Sequence, residues 1–171
     1  MSDVFALRPI GHVRSPLRSR EEAPRQGAEG APDAWLEFDP TMREGLAGIA
    51  VGDELVVLTW LHQARRDVLK VHPRGDPANP LSGVFATRPP DRPNPIGLHR
   101  VHVVELAPGG VKVGPLEAID GTPIVDLKPA IAGPSADADL VDLPWRFKRP
   151  SARTRASRRV RTGGTSRPCR S

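Results

Sequence analysis

Proline and glycine occur so often in this chain that they exclude long helices from most of it. The 171 residues include 20 prolines and 16 glycines, about a fifth of the sequence. Proline removes a backbone donor, and glycine carries a high conformational entropy cost inside a helix. The glycines have no collagen period, so a triple helix is also excluded. We therefore expect short strands joined by turns.

Short apolar segments separated by turn residues predict seven or eight strands. The most apolar, residues 54–61, is typical of a strand buried on both faces. The longest, residues 98–106, places Val101 and Val103 on one face, and Gly109-Gly110 predicts the hairpin turn that follows it. The remaining strand candidates are residues 7–13, 34–38, 68–72, 83–87, 111–113 and 123–128. Because strands and helices do not alternate, the pattern predicts an all-β fold, an antiparallel barrel or a sandwich. One short helical segment is expected at residues 41–46, with Thr41 as its N-cap.

The charge of the chain is divided between an acidic body and a basic tail. The formal net charge is +5. Residues 146–171 contain ten Lys or Arg and no acid, whereas residues 1–145 contain 15 basic and 20 acidic side chains. We expect a single β domain over residues 1–145 and a disordered tail over 146–171, since the tail has too few apolar residues to offset the entropy of ordering. The tail is either an arm that holds RNA phosphates or a solvated appendage.

Several common functional classes lack support in the sequence. The only cysteine is Cys169, so an internal disulfide and a cysteine-based zinc site are excluded. His99 and His102 point to opposite faces of a strand, which argues against a metal site. No dinucleotide-binding, P-loop or serine-hydrolase motif occurs. Residues 1–10 do not resemble a signal peptide and no apolar run is long enough to cross a membrane, so we expect a cytoplasmic protein.

Four stretches contain residues that ordinary connections do not need. They are residues 23–27 within the long loop 15–32, residues 60–63, the proline-rich residues 84–98, and the turn 120–123. A proline-rich loop is stiff and loses little entropy when it binds a ligand, although it can equally be a rigid spacer. Asp120 and Gly121 are typical of a tight turn, and Asp120 can also accept hydrogen bonds from a ribose. Asp126 and Lys128 are expected to form an ion pair.

In these stretches the sequence resembles the TsaA-like (YaeB-like, or TrmO) family of tRNA N6-threonylcarbamoyladenosine methyltransferases. The matching motifs are IGHVRSP at 10–16, PRQG at 24–27, HQ at 62–63, GVFATRPPDRPNPIGL at 83–98 and DGTPIVDLKP at 120–129. The resemblance implies a small antiparallel β-barrel that binds S-adenosylmethionine, forms a homodimer and methylates N6 of threonylcarbamoyladenosine next to the anticodon of tRNA. The cofactor-binding residues that it implies are Pro24, Arg25, Gln26, His62, Gln63, Arg88, Leu98, Asp120, Gly121, Thr122 and Pro123.

Within this resemblance, the residue types suggest individual roles. Arg25 or Arg88 can hold the methionine carboxylate in a bidentate pair. Asp120 or His62 is the candidate general base, and Arg92 the candidate for orienting the nucleotide. No metal is expected. Many bacterial members carry a C-terminal domain that helps to hold tRNA. Here only the basic tail, Arg146 to Arg170, follows the barrel, and Ala130 replaces the usual aromatic residue after Pro129. The alternatives are a barrel that binds S-adenosylmethionine without catalysis and, with least support, an oligonucleotide-binding barrel, because such folds rely on surface aromatics that are scarce in this chain.

Overall fold

Eight strands form most of the regular structure in the computed structural model, which describes residues 5–130. They are β1 (Gly11–Arg14), β2 (Ala34–Phe38), β3 (Glu54–Trp60), β4 (Lys70–Val71), β5 (Ser82–Gly83), β6 (Ile96–Ala107), β7 (Gly110–Gly114) and β8 (Pro123–Pro129). Four 3₁₀ segments, Gly27–Glu29, Pro40–Leu46, Pro73–Gly75 and Val84–Ala86, complete the set. No α-helix occurs between residues 5 and 130, which agrees with the distribution of proline and glycine.

Six of the strands close into an antiparallel barrel. The order around it is β1-β2-β7-β6-β3-β8, and β8 pairs back onto β1 to close it. Strands β4 and β5 form a separate two-stranded sheet. The prediction of a small antiparallel barrel is therefore confirmed. The proposed tail, residues 146–171, lies outside the described residues.

The barrel interior is filled by alternate residues of its strands. In β6, Val101 and Val103 are buried while His102 and Val104 are exposed, as the alternation predicts. The core residues on the other strands include Val13, Leu36, Leu55, Val57, Val111, Val113 and Ile124. Burying these side chains supplies the main stabilisation of the barrel, roughly 1.5–3 kcal/mol for each large aliphatic residue.

Several local predictions differ from the structure. The first strand begins at Gly11 rather than at residue 7, although the Ile10 amide just before it donates to the Ile124 carbonyl of β8 at 2.8 Å. Strand β3 is fully buried on one face only, since one side of every barrel strand points outward. The turn between β6 and β7 uses Pro108 and Gly109, and Gly110 already belongs to β7. Asp39, not Thr41, precedes the 3₁₀ segment, and no side chain caps it.

The remaining predicted segments are partly confirmed. Strand β2 has the predicted bounds, and Asp126 and Lys128 form the expected ion pair at 2.8 Å. The strands expected over residues 68–72 and 83–87 shrink to the two residues each of β4 and β5. Residues 84–86 instead form a 3₁₀ turn, because this part of the chain pairs only with its own short partner and not with the barrel.

Candidate functional site

The residues between β3 and β6 leave the barrel and return to it at a single place. Trp60, the last residue of β3, pairs with Ile96, the first residue of β6. One step further on, the Leu61 amide donates to the Pro95 carbonyl at 2.8 Å. We call residues 61–95 the insert. It includes the HQ motif and most of the proline-rich motif, so the structure brings both motifs to the same end of the barrel.

Asp91 joins the insert to the long loop that follows β1. Its carboxylate accepts a hydrogen bond from the Arg65 amide at 2.9 Å and forms an ion pair with Arg20 at 3.0 Å. Arg20 also donates to the backbone carbonyl of Gln63 at 3.2 Å. Burial alone would raise the pKa of Asp91, but the hydrogen bonds from Arg20 and Arg65 and their charges lower it overall. Asp91 is therefore held as an anion where three chain segments meet.

The turn that contains Asp120 contacts the same loop a few residues earlier. The Asp120 carboxylate accepts from the Ser15 amide at 2.9 Å and forms an ion pair with Arg18, and the Asp120 amide donates to Leu17. Gly121 has a φ of +75°, a conformation that glycine adopts without the strain that a side chain would cause. Because Arg18 and Arg20 lie two residues apart, one short stretch of loop contacts both the Asp120 turn and Asp91.

A buried chain of polar side chains lies between β3, β6 and the segment after β7. The Thr59 hydroxyl and the His99 Nε2 are 2.8 Å apart, and His99 Nδ1 is 2.7 Å from Glu117. The Glu117 carboxylate also accepts a hydrogen bond from the Gly27 amide, in the PRQG motif. Thr59 and His99 are almost completely buried. This chain therefore anchors the PRQG segment to the barrel.

Two glycines of the matching motifs have no space for a side chain beside this polar chain. A Cβ at Gly97 would lie 2.4 Å from the Thr59 hydroxyl and 2.5 Å from His99 Nε2. A Cβ at Gly27 would lie 3.0 Å from the Pro115 carbonyl and 3.3 Å from the Glu117 carboxylate. Sequence reasoning missed His99 and Glu117 as site-supporting residues. The glycine of the RPNPIGL motif was the available signal, since it indicates a close approach.

The environment of Glu117 favours the ionised carboxylate. Burial would raise the pKa of Glu117, but the hydrogen bond and charge of His99, together with the amides of Glu117 and Gly27, outweigh burial and lower it. A pKa below the ordinary value of 4.5 means that ionised Glu117 stabilises the fold above that pH. The stabilisation is lost as the pH falls through the pKa of the folded state.

This shift predicts a specific sensitivity to acid. We expect the free energy of unfolding of the wild-type chain to fall more steeply below about pH 4.5 than that of Glu117→Gln, which has no carboxyl group to protonate there. Urea denaturation at a series of pH values measures both slopes, and the other titrating carboxyls cancel in the comparison. Equal slopes would contradict the assignment.

The three candidate catalytic residues are placed differently. The Nδ1 of His62 is buried and has no hydrogen-bond partner among residues 5–130. The guanidinium of Arg92 donates to the carbonyls of Val84, Thr87 and Pro89, at 2.5, 2.6 and 3.1 Å, and so fixes the shape of its own loop. Asp120 uses both carboxylate oxygens in the contacts with Ser15 and Arg18.

The predicted cofactor-binding residues divide by exposure. Those with exposed side chains are Arg25, Gln26, Gln63 and Arg88, whereas Pro24, His62, Leu98, Asp120 and Pro123 are half-buried. Arg25 and Arg88 form no ion pair within the described part of the chain. Thr122 is buried, and its hydroxyl donates to the Ile119 carbonyl at 2.7 Å, so its side chain supports the turn.

Two other features bear on ligand binding. A cavity of about 480 Å³ lies on the outside of β1, β2 and β7, lined by residues that include His12, Trp35 and Arg43. It contains none of the predicted site residues. No group of three potential metal ligands occurs within residues 5–130. Over the same residues, no helix is both long and apolar enough to span a bilayer.

Comparison with known proteins assigns this arrangement to a family. Residues 12–138 match the tRNA-methyltransferase O N-terminal domain. A probable S-adenosyl-L-methionine-binding protein of Methanothermobacter thermautotrophicus is 41% identical over 130 residues, covering 75% of this chain and 93% of that protein. An S-adenosyl-L-methionine-binding protein of Archaeoglobus fulgidus is 40% identical over 122 residues, covering 71% and 86%.

The fold is also similar to that of solved structures. A crystal structure of TrmO from Pseudomonas aeruginosa superimposes with a TM-score of 0.60 and 30% identity, over 79% of this chain. This chain spans 60% of the length of that structure. The profile match extends over about three quarters of the sequence and contains four of the five motifs in full, together with most of IGHVRSP. The chain belongs to the family defined by the tRNA-methyltransferase O N-terminal domain.

Proposed function

We propose that this protein is an S-adenosylmethionine-dependent tRNA methyltransferase that methylates N6 of threonylcarbamoyladenosine next to the anticodon. The observation that carries the proposal is the junction at Asp91. There the loop after β1, the HQ segment and the proline-rich loop are bonded to one another at one end of the barrel. Family membership and the names of the relatives support the cofactor and the reaction class.

The predicted site residues suit the different parts of the cofactor. Arg25 and Arg88 are exposed cations without an acidic partner among residues 5–130, and either guanidinium can hold the methionine carboxylate in a bidentate pair. Gln63 and the backbone of the turn at Asp120 and Gly121 are suited to the adenine and ribose edges. S-adenosylmethionine supplies a methyl group already activated by its sulfonium, so the protein has to align the reactants and needs no metal.

Among the candidate bases, the contacts favour His62. Its buried Nδ1 has no hydrogen-bond partner in the described residues, whereas the carboxylate of Asp120 is engaged by Arg18 and Ser15. We assign the proton acceptor for the substrate nitrogen to His62, with Asp120 as a contact to the cofactor. Arg92 contributes by holding the proline-rich loop in shape.

We also propose that two copies of the chain associate through the insert. Leu69, Leu81 and Phe85 are 62%, 55% and 82% exposed, an unusual concentration of large apolar side chains around one small sheet. The Val84 amide donates to the Leu69 carbonyl at 3.1 Å, which keeps these residues together. A second copy that covers them would lie next to the proline-rich loop.

The remaining proposals concern the cellular location of the reaction and the division of the chain into a domain and a tail. We place the reaction in the cytoplasm. Residues 1–145 are proposed to act as the cofactor-binding domain, with 146–171 as a basic arm for RNA. That arm, with ten Lys or Arg and no acid, lies outside the described residues, and its composition is the support for this role.

The test is methyl transfer from labelled S-adenosylmethionine. We expect label to appear on threonylcarbamoylated tRNA and not on the same tRNA without the modification. We expect His62→Ala, which lacks the proposed proton acceptor, to label neither tRNA, and the same variant serves as the control for contaminating activity.

A second function is favoured by one observation, that the relatives are named as binding proteins rather than as enzymes. A chain that binds S-adenosylmethionine by calorimetry but labels neither tRNA would support a sensor and contradict the enzyme. A chain that does not bind S-adenosylmethionine at all would contradict both.

A further inference from the structure

The insert is the positively charged part of a barrel that is otherwise acidic. Residues 61–95 contain six basic and three acidic side chains, a formal charge of +3. The other described residues, 5–60 and 96–130, contain nine basic and thirteen acidic side chains, a formal charge of −4. The described residues outside the insert therefore carry a net negative charge, and the insert is a positively charged region among them.

The cations of the insert are also less neutralised than those of the barrel. Arg66, Lys70, Arg74 and Arg88 are exposed and form no ion pair with any described acid. Outside the insert, most cations are paired: Arg14 with Glu37, Arg18 with Asp120, Arg20 with Asp91, Arg100 with Glu54, Lys112 with Asp33 and Lys128 with Asp126. The unpaired positive charge is therefore concentrated where the barrel has its candidate site.

Hydrogen bonds close the base of the insert, and a short two-stranded sheet that contains Lys70 lies within it. The two ends of the insert are joined by the Leu61–Pro95 hydrogen bond and by the Trp60–Ile96 strand pair. At its base, the Arg66 guanidinium lies over the ring of Trp60, 5.3 Å from the centroid. An aromatic ring and a planar cation together form a surface on which nucleic-acid bases stack, beside cations that contact phosphates.

We propose that the insert is an RNA-docking surface, in which Lys70 and Arg74 contact phosphates and the Trp60–Arg66 pair lies against a base. The proposal rests on the proposed function, since it takes the RNA substrate as the partner. The insert also contains His62, Gln63 and Arg88, so the proposal places the RNA on the same segment as these predicted site residues. It is independent of the basic residues 146–171.

The test compares two double variants of the full chain, each of which removes two exposed cations that have no acidic partner. Lys70→Ala/Arg74→Ala changes the insert, and Arg8→Ala/Arg43→Ala changes the barrel outside it. Binding of a fluorescently labelled tRNA is measured at several salt concentrations. Each phosphate contact contributes roughly 0.7–0.9 to the slope of log affinity against log salt. We expect the insert variant to lower that slope by about 1.5 and the affinity by about tenfold. The barrel variant should bind like the wild type.

One control makes each outcome decisive. Calorimetry with S-adenosylmethionine should give the wild-type affinity for both variants, which confirms the fold and the cofactor site. An unchanged salt slope in the insert variant, or an equal loss in both variants, would overturn the proposal. If the insert variant bound RNA like the wild type but dissociated into monomers, the proposal would also be overturned, and the surface would be assigned to the subunit contact. Failure of the wild-type chain to methylate tRNA would refute the proposed function instead. The RNA affinities of the two variants would still test the docking surface, because they are measured independently of methylation.

Discussion

Replacement of Gly97 by alanine is expected to destabilise the protein by about 3 kcal/mol. The new Cβ would lie 2.4 Å from the Thr59 hydroxyl and 2.5 Å from His99 Nε2. Neither group can move freely, because both are buried and His99 is held on its other side by Glu117. The substitution therefore costs either overpacking or the hydrogen bonds of the buried chain. Urea denaturation measures the loss.

The matched control comes from the same motif. Gly83 has nothing within 4 Å of its Cβ position and does not adopt a positive φ, so Gly83→Ala should change the free energy of unfolding by less than about 0.5 kcal/mol. If both variants lost the same stability, the close packing at Gly97 would not be the cause. If neither variant lost stability, His99 would have to move to a position different from the one in the structure to make room for the new Cβ.

Replacement of Asp91 by alanine is expected to weaken S-adenosylmethionine binding by about 30-fold. A hydrogen bond to a charged group contributes roughly 1.5–3 kcal/mol, and the substitution removes two bonds to Asp91 at once. It also removes the ion-pair partner of Arg20, whose guanidinium donates to the Gln63 carbonyl in the wild-type protein. Because Asp91 bonds the proline-rich loop both to Arg65, next to the HQ segment, and to the loop after β1, the relative positions of these segments are lost together. Isothermal titration calorimetry measures the change.

Asp67 provides the comparison for this variant. It is on the same insert and pairs with the Arg65 side chain at 2.9 Å, but it is 73% exposed and contacts none of the other segments. Asp67→Ala should keep the wild-type affinity, since exposed ion pairs contribute little. A small effect of Asp91→Ala, no larger than that of Asp67→Ala, would show that the junction does not position the cofactor.

Local sequence patterns predicted much of the barrel but few of the contacts that hold the candidate site together. Alternation in β6 correctly assigned Val101 and Val103 to the interior, and the apolar run 54–61 correctly located β3. The errors lie where the chain pairs weakly or not at all, at residues 7–9 and beside β4 and β5. There, apolar residues suggest a strand but no partner strand is available, and only the tertiary structure decides this.

The candidate site shows the same limit more clearly. The motifs identified the segments, but the contacts between them join residues far apart in sequence, such as Arg18 and Asp120, which are separated by 102 positions. His99 and Glu117 are on different segments, 18 positions apart, and no short spacing connects them. Arg92 illustrates the converse. Its position in a motif suggested a ligand contact, while its guanidinium is bonded to three carbonyls of its own loop.

The pairing of β1 with β8 has a consequence for how the protein acquires its binding capacity. Gly11 and Ile124 must meet before the barrel closes, so more than a hundred residues have to be synthesised and ordered first. Pairings of such long range are slow to form. The segments around Asp91 and Asp120 are both bonded to the loop that directly follows β1, so the site is complete only when that loop lies against both of them. A ligand that binds only where these contacts are present stabilises the folded chain relative to the unfolded chain.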